Sequence, residues 1–290
     1  MAASESYEDG WWQSPDGLKL HYRDYPGDPA KLPVLCLSGL TRNARDFAPV
    51  AARLSPGRRV ICAELRGRGE SANAPDPMSY TPPVYLADLA ALIEALALER
   101  VVLFGTSLGG ILSMLIGATM PGRVGGVLLN DIGPVVEAAG LARIRGYVGK
   151  NASWPTWVHA ARTIAEGQRD AFPKYGLEDW LAMAKRLCRL TSAGKIVFAY
   201  DMRIAEPLRQ PEVAAPPDMW PALDALAGRP ALLVRGGRSD ILSIATATEM
   251  ARRLPEMEVV TLPDIGHAPV LDEPPAAAGI DRLLARIDSL

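Results

Sequence analysis

The sequence predicts an α/β domain built on a mostly parallel sheet, with a helical segment inserted between two of its strands. Three observations predict this fold class. Short apolar runs without polar alternation, such as residues 101–104, are typical of strands buried on both faces. Helical stretches alternate with these runs, which favours right-handed βαβ units. Between residues 132 and 217 that alternation stops, and helical stretches rich in tryptophan replace it.

The elements follow in order along the chain. Two alternating runs, 7–12 and 18–25, flank the turn sequence Ser14-Pro15-Asp16-Gly17 and predict an antiparallel hairpin. Buried strands are predicted at 34–37, 59–63, 101–104, 124–129, 231–234 and 258–262. Core helices are predicted at 43–54, 84–98, 111–118, 218–226, 244–254 and from 273 onward.

The inserted segment is predicted to be all-helical, with helices at 141–148, 154–166 and 177–190. The predicted division is a core of residues 1–132 and 218–290 and a helical cap, or lid, of residues 133–217. We expect the lid to cover the C-terminal ends of the strands, where open α/β sheets bind their ligands.

Composition restricts the class of partner. The 290 residues are 49% hydrophobic and carry a formal net charge of −2, without a dense basic run. This argues against nucleic acid or an anionic membrane surface and favours a small-molecule substrate. The N-terminal stretch lacks a secretory pattern and no apolar run approaches transmembrane length, so we expect a cytoplasmic protein. Nothing in the sequence indicates an oligomeric state.

The cysteines give no sign of a metal site. Cys36, Cys62 and Cys188 have no metal-ligand spacing, and an odd number suits a reducing compartment. Cys36 and Cys62 fall in apolar strand-like runs, so we expect buried, inert thiols there. No metal or organic cofactor is implied.

Ser107 lies where an apolar strand turns sharply into an apolar helix, in Gly105-Thr106-Ser107-Leu108-Gly109-Gly110. A serine hydroxyl becomes an effective nucleophile when a base takes its proton and donors stabilise the resulting oxyanion. The N–H of Leu108 is one such donor, because the first N–H groups of a helix are unpaired. The G-x-S-x-G pattern therefore predicts a nucleophile elbow at Ser107. The alternative is that the glycines only allow the turn between strand and helix and that Ser107 is the N-cap of the helix.

A serine nucleophile needs a base and a carboxylate that orients it. Of the three histidines, His21 lies in the hairpin and His159 in a predicted lid helix, whereas His267 lies in the loop after the last strand. His267 is therefore the predicted base, since site residues gather at strand ends. Asp240, one strand-end loop earlier, is the preferred acid. Asp131 is the alternative acid, because it lies at the end of the strand that follows the elbow, after Leu129-Asn130. If it is not the acid, Asp131 is expected to cap or anchor the first segment of the lid.

Several motifs together resemble the serine hydrolases of the α/β-hydrolase fold over nearly the whole chain. They are Leu37-Ser38-Gly39-Leu40 with Phe47, Glu64-Leu65-Arg66-Gly67-Arg68-Gly69-Glu70-Ser71, the elbow, residues 236–240 and Gly266-His267. The order Ser107, Asp240, His267 matches the order of that family. The resemblance implies an eight-stranded sheet and a second oxyanion donor, the backbone N–H of Leu40. Ser38 and Glu64 depart from the family, which has His and Asp at these positions.

The resemblance is to lid-bearing bacterial esterases and to relatives that hydrolyse C–C bonds or lactones. It implies hydrolysis of a carboxylic ester through an acyl-enzyme. A C–C bond hydrolase or enol-lactonase is the alternative within the class of hydrolases. A perhydrolase or haloperoxidase would use the same triad. A non-catalytic ligand-binding protein with this fold is the alternative from another class. A serine nucleophile argues against the dehalogenase and epoxide hydrolase chemistry that an aspartate performs.

Aromatic residues of the lid predict an apolar pocket roof. They are Tyr147, Trp154, Trp157 and Trp180. Packing between lid and core explains each of them equally well, because aromatic side chains bury large areas in any case. Arg143, Arg145 and Arg162 could meet a substrate carboxylate, and exposed helix faces explain them as well.

Overall fold

The computed structural model describes residues 7–210 and 217–290. Its strands, in chain order, are β1 (Glu8–Gln13), β2 (Lys19–Tyr25), β3 (Val34–Leu37), β4 (Val60–Glu64), β5 (Val101–Thr106), β6 (Val124–Asn130), β7 (Ser153–Trp154), β8 (Cys188–Leu190), β9 (Ile196–Phe198), β10 (Ala231–Gly236) and β11 (Met257–Leu262). Its α-helices are α1 (Ala48–Leu54), α2 (Pro82–Ala95), α3 (Leu108–Thr119), α4 (Ala138–Tyr147), α5 (Trp157–Gln168), α6 (Leu177–Leu187), α7 (Ala205–Arg209), α8 (Trp220–Asp224), α9 (Ile244–Arg253) and α10 (Pro274–Asp288).

The main sheet has eight strands in the order β1-β2-β4-β3-β5-β6-β10-β11. Strands β3 to β6, β10 and β11 pair in parallel, whereas β2 pairs antiparallel with both β1 and β4. The predicted α/β class, mostly parallel sheet and opening hairpin are thereby confirmed. Parallel strands end at one edge of the sheet, so the loops after β3, β5, β6, β10 and β11 are neighbours.

Alternate residues of the central strands pack into two separate hydrophobic cores, one on each face of the sheet. Leu35 and Leu37 of β3 pack in one cluster with α2, α3 and α9, whereas Val34 and Cys36 pack in a second cluster with α1 and α10. The same alternation holds along β5. This double burial explains the continuous apolar runs in the sequence. All three cysteines are buried and free.

The inserted segment differs from the prediction because it is not all-helical. Strands β7, β9 and β8 form a separate antiparallel sheet. The helix predicted through residue 190 ends at Leu187, and the next three residues form β8. A turn causes this change: Thr191 N–H donates to the Lys195 carbonyl at 2.8 Å, and Gly194 adopts a φ of 72° that favours glycine.

The insertion contacts the core at several loops. The carbonyl of Arg186 accepts from Asn43 Nδ2 at 2.9 Å, and the carbonyl of Ala171 accepts from Gly266 N–H at 2.6 Å. The insertion was predicted to run to residue 217, and residues 211–216 of that stretch lie outside the described residues. Residues 1–6, part of the N-terminal stretch in which no secretory pattern was found, also lie outside them. Within the described ranges, no helix is both long and apolar enough to cross a membrane.

A buried ion pair ties the hairpin and α2 to the turn after β4. The guanidinium of Arg66 makes two 2.7 Å hydrogen bonds to Asp88 and two 2.8 Å hydrogen bonds to Asp16. The side chains of Arg66 and Asp88 are 1% and 0% exposed. Removing one member of such a pair leaves a charge in a medium that solvates it poorly.

We therefore expect Asp88→Ala to lower the free energy of unfolding by about 3 kcal/mol, measured by urea denaturation at neutral pH. The matched control is Asp281→Ala, which breaks the exposed ion pair between Asp281 and Arg53. Exposed pairs contribute little, so the control should change stability by less than about 1 kcal/mol. Equal losses in the two variants would contradict the assignment of Asp88 as a buried partner.

Candidate active site

Ser107 occupies a strained turn between β5 and α3. Its backbone has φ 53° and ψ −117°, a region that residues with a side chain rarely adopt. The turn is held from both sides, because Ser107 N–H donates to the Asn130 carbonyl at 3.1 Å and the Ser107 carbonyl accepts from Gly110 N–H at 2.9 Å. The Ser107 side chain is therefore presented at the C-terminal edge of the sheet, as the elbow motif predicts.

Two glycines allow this turn to pack closely. A Cβ at Gly109 would lie 1.9 Å from the carbonyl oxygen of Leu37, and a Cβ at Gly105 would lie 2.4 Å from the carbonyl oxygen of Gly109. No side chain fits at these distances. The G-x-S-x-G pattern is thus required by the approach of helix α3 to strand β3 at Gly109 and to strand β5 at Gly105.

His267 lies beside Ser107. It follows β11, and its Nε2 is 2.9 Å from Ser107 Oγ. The loop is fixed on both sides of the histidine, since Gly266 N–H donates to the carbonyl of Ala171 at 2.6 Å and Asn130 Nδ2 donates to the carbonyl of Pro269 at 2.8 Å. The sequence predicted this pairing of a strand-end serine with the histidine after the last strand.

The other two histidines have different partners. His21 is buried between Glu64 Oε2, at 2.9 Å, and Asp9 Oδ1, at 2.8 Å. Burial acts to lower the pKa of His21, but the hydrogen bonds and charges of Glu64 and Asp9 raise it overall. His159 bonds with Thr156 at the start of α5.

The carboxylate that binds His267 belongs to Asp131. Its Oδ2 lies 2.8 Å from His267 Nδ1, and its side chain is fully buried. Oδ1 accepts from Gly236 N–H at 2.8 Å, and Oδ2 also accepts from Ser239 Oγ at 2.6 Å. Because a carboxylate only accepts hydrogen bonds, Nδ1 carries the proton and the lone pair of Nε2 faces the Ser107 hydroxyl.

Asp240, the acid preferred from the sequence, does not bind the histidine, so that choice is corrected in favour of Asp131. Asp240 instead makes hydrogen bonds of 2.5 and 2.8 Å to Arg143 of α4, which lower the pKa of its carboxyl group. The chain direction explains the outcome: Ser239 faces Asp131, and Asp240 turns to α4. One sequence feature favoured Asp131 over Asp240, namely the Asn130-Asp131 pair at the end of an apolar strand. A carboxylate buried at that position requires hydrogen-bond partners.

Of the two predicted backbone donors, Leu108 directly follows Ser107 and Leu40 lies in the turn after β3. Leu108 is the first residue of α3, so its N–H has no partner within the helix. Leu40 lies in a turn closed by a 3.1 Å hydrogen bond from Arg42 N–H to the Gly39 carbonyl. A Cβ at Gly39 would lie 3.6 Å from the Cβ of Ser107, so this turn approaches the serine closely.

The predicted pocket aromatics divide into two groups. Trp154 and Trp180 are buried in a cluster inside the insertion, and Trp157 packs against that cluster. Trp154 Nε1 donates to Thr163 Oγ1 at 3.0 Å, while Trp180 packs edge-on against aromatic neighbours. Packing within the insertion therefore accounts for these three residues.

Tyr147 is the last residue of α4 and lies outside that cluster. Desolvation raises the pKa of its hydroxyl, and the charges of Arg143 and Arg42 oppose that increase. Tyr147 is therefore the one predicted pocket residue that lies beside the Arg143–Asp240 ion pair. Among the residues that the structure describes, no group of three His, Cys, Asp or Glu side chains is arranged to hold a metal ion.

The main sheet has eight strands, and a strained serine directly follows the fifth strand. A histidine from the loop after the last strand faces this serine. Together these features define an α/β-fold hydrolase. The chain belongs to the alpha/beta hydrolase family, whose sequence profile matches residues 34–279. The resemblance drawn from the motifs is thereby confirmed.

Individual proteins support the same class. The chain is 35% identical over 273 residues to a 3-hydroxybutyrate-oligomer hydrolase from Cupriavidus necator, covering 90% of this chain and 91% of the relative. It is 27% identical to a 2-(acetamidomethylene)succinate hydrolase from Mesorhizobium japonicum, covering 86% and 85% of the two chains. The crystal structure of an alpha/beta hydrolase from Novosphingobium aromaticivorans superposes with a TM-score of 0.93 at 55% identity, covering 97% of this chain and 98% of that one.

The contact between Gly109 and Leu37 gives a stability prediction. Gly109→Ala should lower the free energy of unfolding by about 3 kcal/mol, because the new methyl group would overlap a backbone carbonyl that cannot move away. Thermal or chemical denaturation measures this loss. Gly146→Ala in α4 is the control, since nothing lies within 4 Å of its Cβ position, and it should be neutral or stabilising by up to about 1 kcal/mol. An unchanged stability in Gly109→Ala would refute the close approach.

Proposed function

We propose that this protein hydrolyses carboxylic esters of small molecules with Ser107 as nucleophile, His267 as base and Asp131 as the orienting acid. The observation that carries the proposal is the continuous hydrogen-bonded path from Ser107 Oγ to His267 at 2.9 Å and on to Asp131 at 2.8 Å. Nucleophile, base and orienting carboxylate in this relation are the requirements for covalent acyl transfer.

In the first half-reaction, Ser107 Oγ bonds to the acyl carbon while its proton passes to His267 Nε2. The tetrahedral intermediate then collapses, the ester C–O bond breaks, and Nε2–H gives its proton to the leaving alkoxide oxygen. In the second half-reaction, His267 takes a proton from water as the water attacks the acyl-enzyme, and collapse of the second intermediate returns the proton to Ser107. Asp131 stays ionised and stabilises the imidazolium in both halves.

Negative charge develops on the carbonyl oxygen in both intermediates. We assign its stabilisation to the backbone N–H groups of Leu40 and Leu108. Leu108 also lies at the positive end of the α3 dipole, which favours an anion at that point. Two preorganised donors act without reorganisation when the charge forms.

The insertion, residues 133–217 of the predicted division, is proposed to act as a lid. Two contacts support this role. Arg143 of α4 pairs with Asp240 in the loop after β10, and Ala171 accepts a hydrogen bond from Gly266, the neighbour of the proposed base. Segments of the insertion therefore border the site on two sides, where they would limit the size of the substrate and the access of water.

For the substrate we propose short oligoesters of hydroxy acids, such as 3-hydroxybutyrate oligomers. The support is the relative with that activity, which is 35% identical over 90% of this chain. Hydrolysis of 2-(acetamidomethylene)succinate is the second candidate, and the support is the 27% identity to a hydrolase named for that compound.

The acid is tested by a matched pair of variants. Asp131→Asn should lower kcat for a short p-nitrophenyl ester about 10³- to 10⁴-fold, because the amide cannot hold the imidazole in the required tautomer. Asp240→Asn removes only a part-exposed ion pair and should change kcat less than about fivefold. Ser107→Ala gives the background rate. A large loss in Asp240→Asn with little in Asp131→Asn would reverse the assignment.

The substrate is tested by product analysis. Purified protein is incubated with the linear 3-hydroxybutyrate trimer and, separately, with 2-(acetamidomethylene)succinate, and the products are followed by mass spectrometry. We expect conversion of the trimer to dimer and monomer, with labelling of Ser107 by a fluorophosphonate. Turnover of the succinate compound alone would replace the ester assignment, and the absence of both turnover and labelling would favour a ligand-binding protein.

A further inference from the structure

Arg68 is a buried cation in the turn after β4, and it contacts the turn that carries Leu40. Its side chain is 1% exposed. Nε donates to the Leu40 carbonyl at 2.9 Å, and Nη1 donates to the Arg66 carbonyl at 2.7 Å. No salt bridge joins Arg68 to a carboxylate within residues 7–210 and 217–290. Its strongest partners are therefore two backbone carbonyls.

The environment of Arg68 is unfavourable for a charge. Nη2 is buried without a hydrogen-bond partner, and the guanidinium lies 4.7 Å from the ring centre of Tyr85 and 5.7 Å from that of Tyr80. Aromatic rings compensate a buried cation only in part. Arg66, two residues earlier, is paired with two carboxylates. An apolar side chain at position 68 would avoid the desolvation penalty, so packing alone does not explain this arginine.

The contact with Leu40 provides that explanation. The turn from Gly39 to Arg42 is closed by its own hydrogen bond, and Leu40 is the second residue of the turn. The closing hydrogen bond uses the N–H of Arg42 and leaves the N–H of Leu40 outside the turn's own hydrogen bonding. The Leu40 N–H shares its peptide group with the Gly39 carbonyl, which accepts the closing hydrogen bond from Arg42, and Arg68 holds the next peptide group through the Leu40 carbonyl. The two hydrogen bonds together restrict rotation of the backbone on both sides of Leu40. A charge-assisted hydrogen bond is suited to this task because it is stronger than a neutral one.

The backbone of the Arg68 turn is held in place by the insertion. Gly69 N–H donates to the Ala199 carbonyl at 2.8 Å, and Asp201 N–H donates to the Gly67 carbonyl at 2.8 Å. Arg68 itself forms an antiparallel bridge with Tyr200. The base of the Arg68 side chain is thus fixed between the core and the insertion, so its guanidinium is a rigid support for Leu40.

We propose that Arg68 is a positioning residue that keeps the Leu40 N–H directed at the oxyanion formed on the substrate. The proposal rests on the proposed function, since it requires acyl transfer at Ser107. A support of this kind acts when the oxyanion exists and not when the substrate binds. Loss of Arg68 should therefore lower kcat and leave KM nearly unchanged.

The test compares Arg68→Met and Arg68→Lys with the control Arg66→Lys. Met keeps the length of the side chain without donor or charge, and Lys keeps one charged donor but not the planar group. Arg66→Lys alters a buried guanidinium of the same turn that does not contact Leu40. We measure kcat and KM for a short p-nitrophenyl ester, the inhibition constant of an alkyl boronic acid, which forms a tetrahedral adduct with the serine, and Tm.

We expect Arg68→Met to lower kcat about 10- to 100-fold and to weaken boronate inhibition by a similar factor, with KM within about twofold, because one oxyanion donor contributes roughly 10²- to 10³-fold when lost entirely. Arg68→Lys should recover part of both losses. Arg66→Lys should lower Tm while keeping kcat and the inhibition constant.

Two outcomes overturn the proposal and are distinguishable. If Arg68→Met lowers Tm but keeps kcat and boronate affinity, Arg68 is only structural and the proposed function stands. If the wild-type protein shows no ester hydrolysis that Ser107→Ala abolishes, the proposed function itself fails, and the role of Arg68 fails with it.

Discussion

The carboxylate of Asp131 joins the three strand ends on which the site depends. The residue directly follows β6, its Oδ1 accepts from the last residue of β10, and its Oδ2 accepts from Ser239 and from His267 in the loop after β11. A fully buried carboxylate is tolerated when its oxygens are satisfied in this way. The same hydrogen bonds fix the spacing of the strand ends and the orientation of the imidazole, so the geometry of the sheet and that of the proposed proton path depend on one side chain.

Local patterns in the sequence were sufficient to predict the sheet. They also predicted two of the three side chains of the hydrogen-bonded path, Ser107 and His267. Ser107 is identified by an apolar strand, a glycine-flanked turn and an apolar helix, which are all contiguous in the chain. His267 is identified by its place after the last strand. The serine pattern follows from backbone geometry, because the close approach of α3 to β3 permits only glycine at position 109.

The acid could not be chosen in the same way. Asp131 and Asp240 both follow strands at the same edge of the sheet, and both satisfy the order of serine, acid and histidine. The choice depends on which way each side chain points after its strand ends, which is decided by contacts with α4 and with the loop after β10. The strands of the insertion escaped prediction for a related reason: at two or three residues each, they are too short for a period of two to be visible.

The insertion and the core meet where the chemistry is proposed to occur, and the contacts are mainly hydrogen bonds to backbone groups. The carbonyls of Ala171, Arg186 and Ala199 each accept from a loop that follows a strand of the main sheet. Two of the three donors, the N–H groups of Gly266 and Gly69, are backbone groups, whereas the donor to Arg186 is the side chain of Asn43. Substitutions on the surface of the insertion would therefore leave the two backbone-to-backbone attachments in place.

Two neighbouring residues in the loop after β10 have different partners. Ser239 donates a hydrogen bond to the Asp131 carboxylate, whereas Asp240 accepts hydrogen bonds from Arg143 of α4. Changes from position 240 onward can alter the contacts of this loop with α4, while Ser239 keeps its hydrogen bond to the carboxylate of the proposed proton path. For the proposed hydrolase, selectivity and catalytic power would then be separable traits, although they are encoded by neighbouring codons.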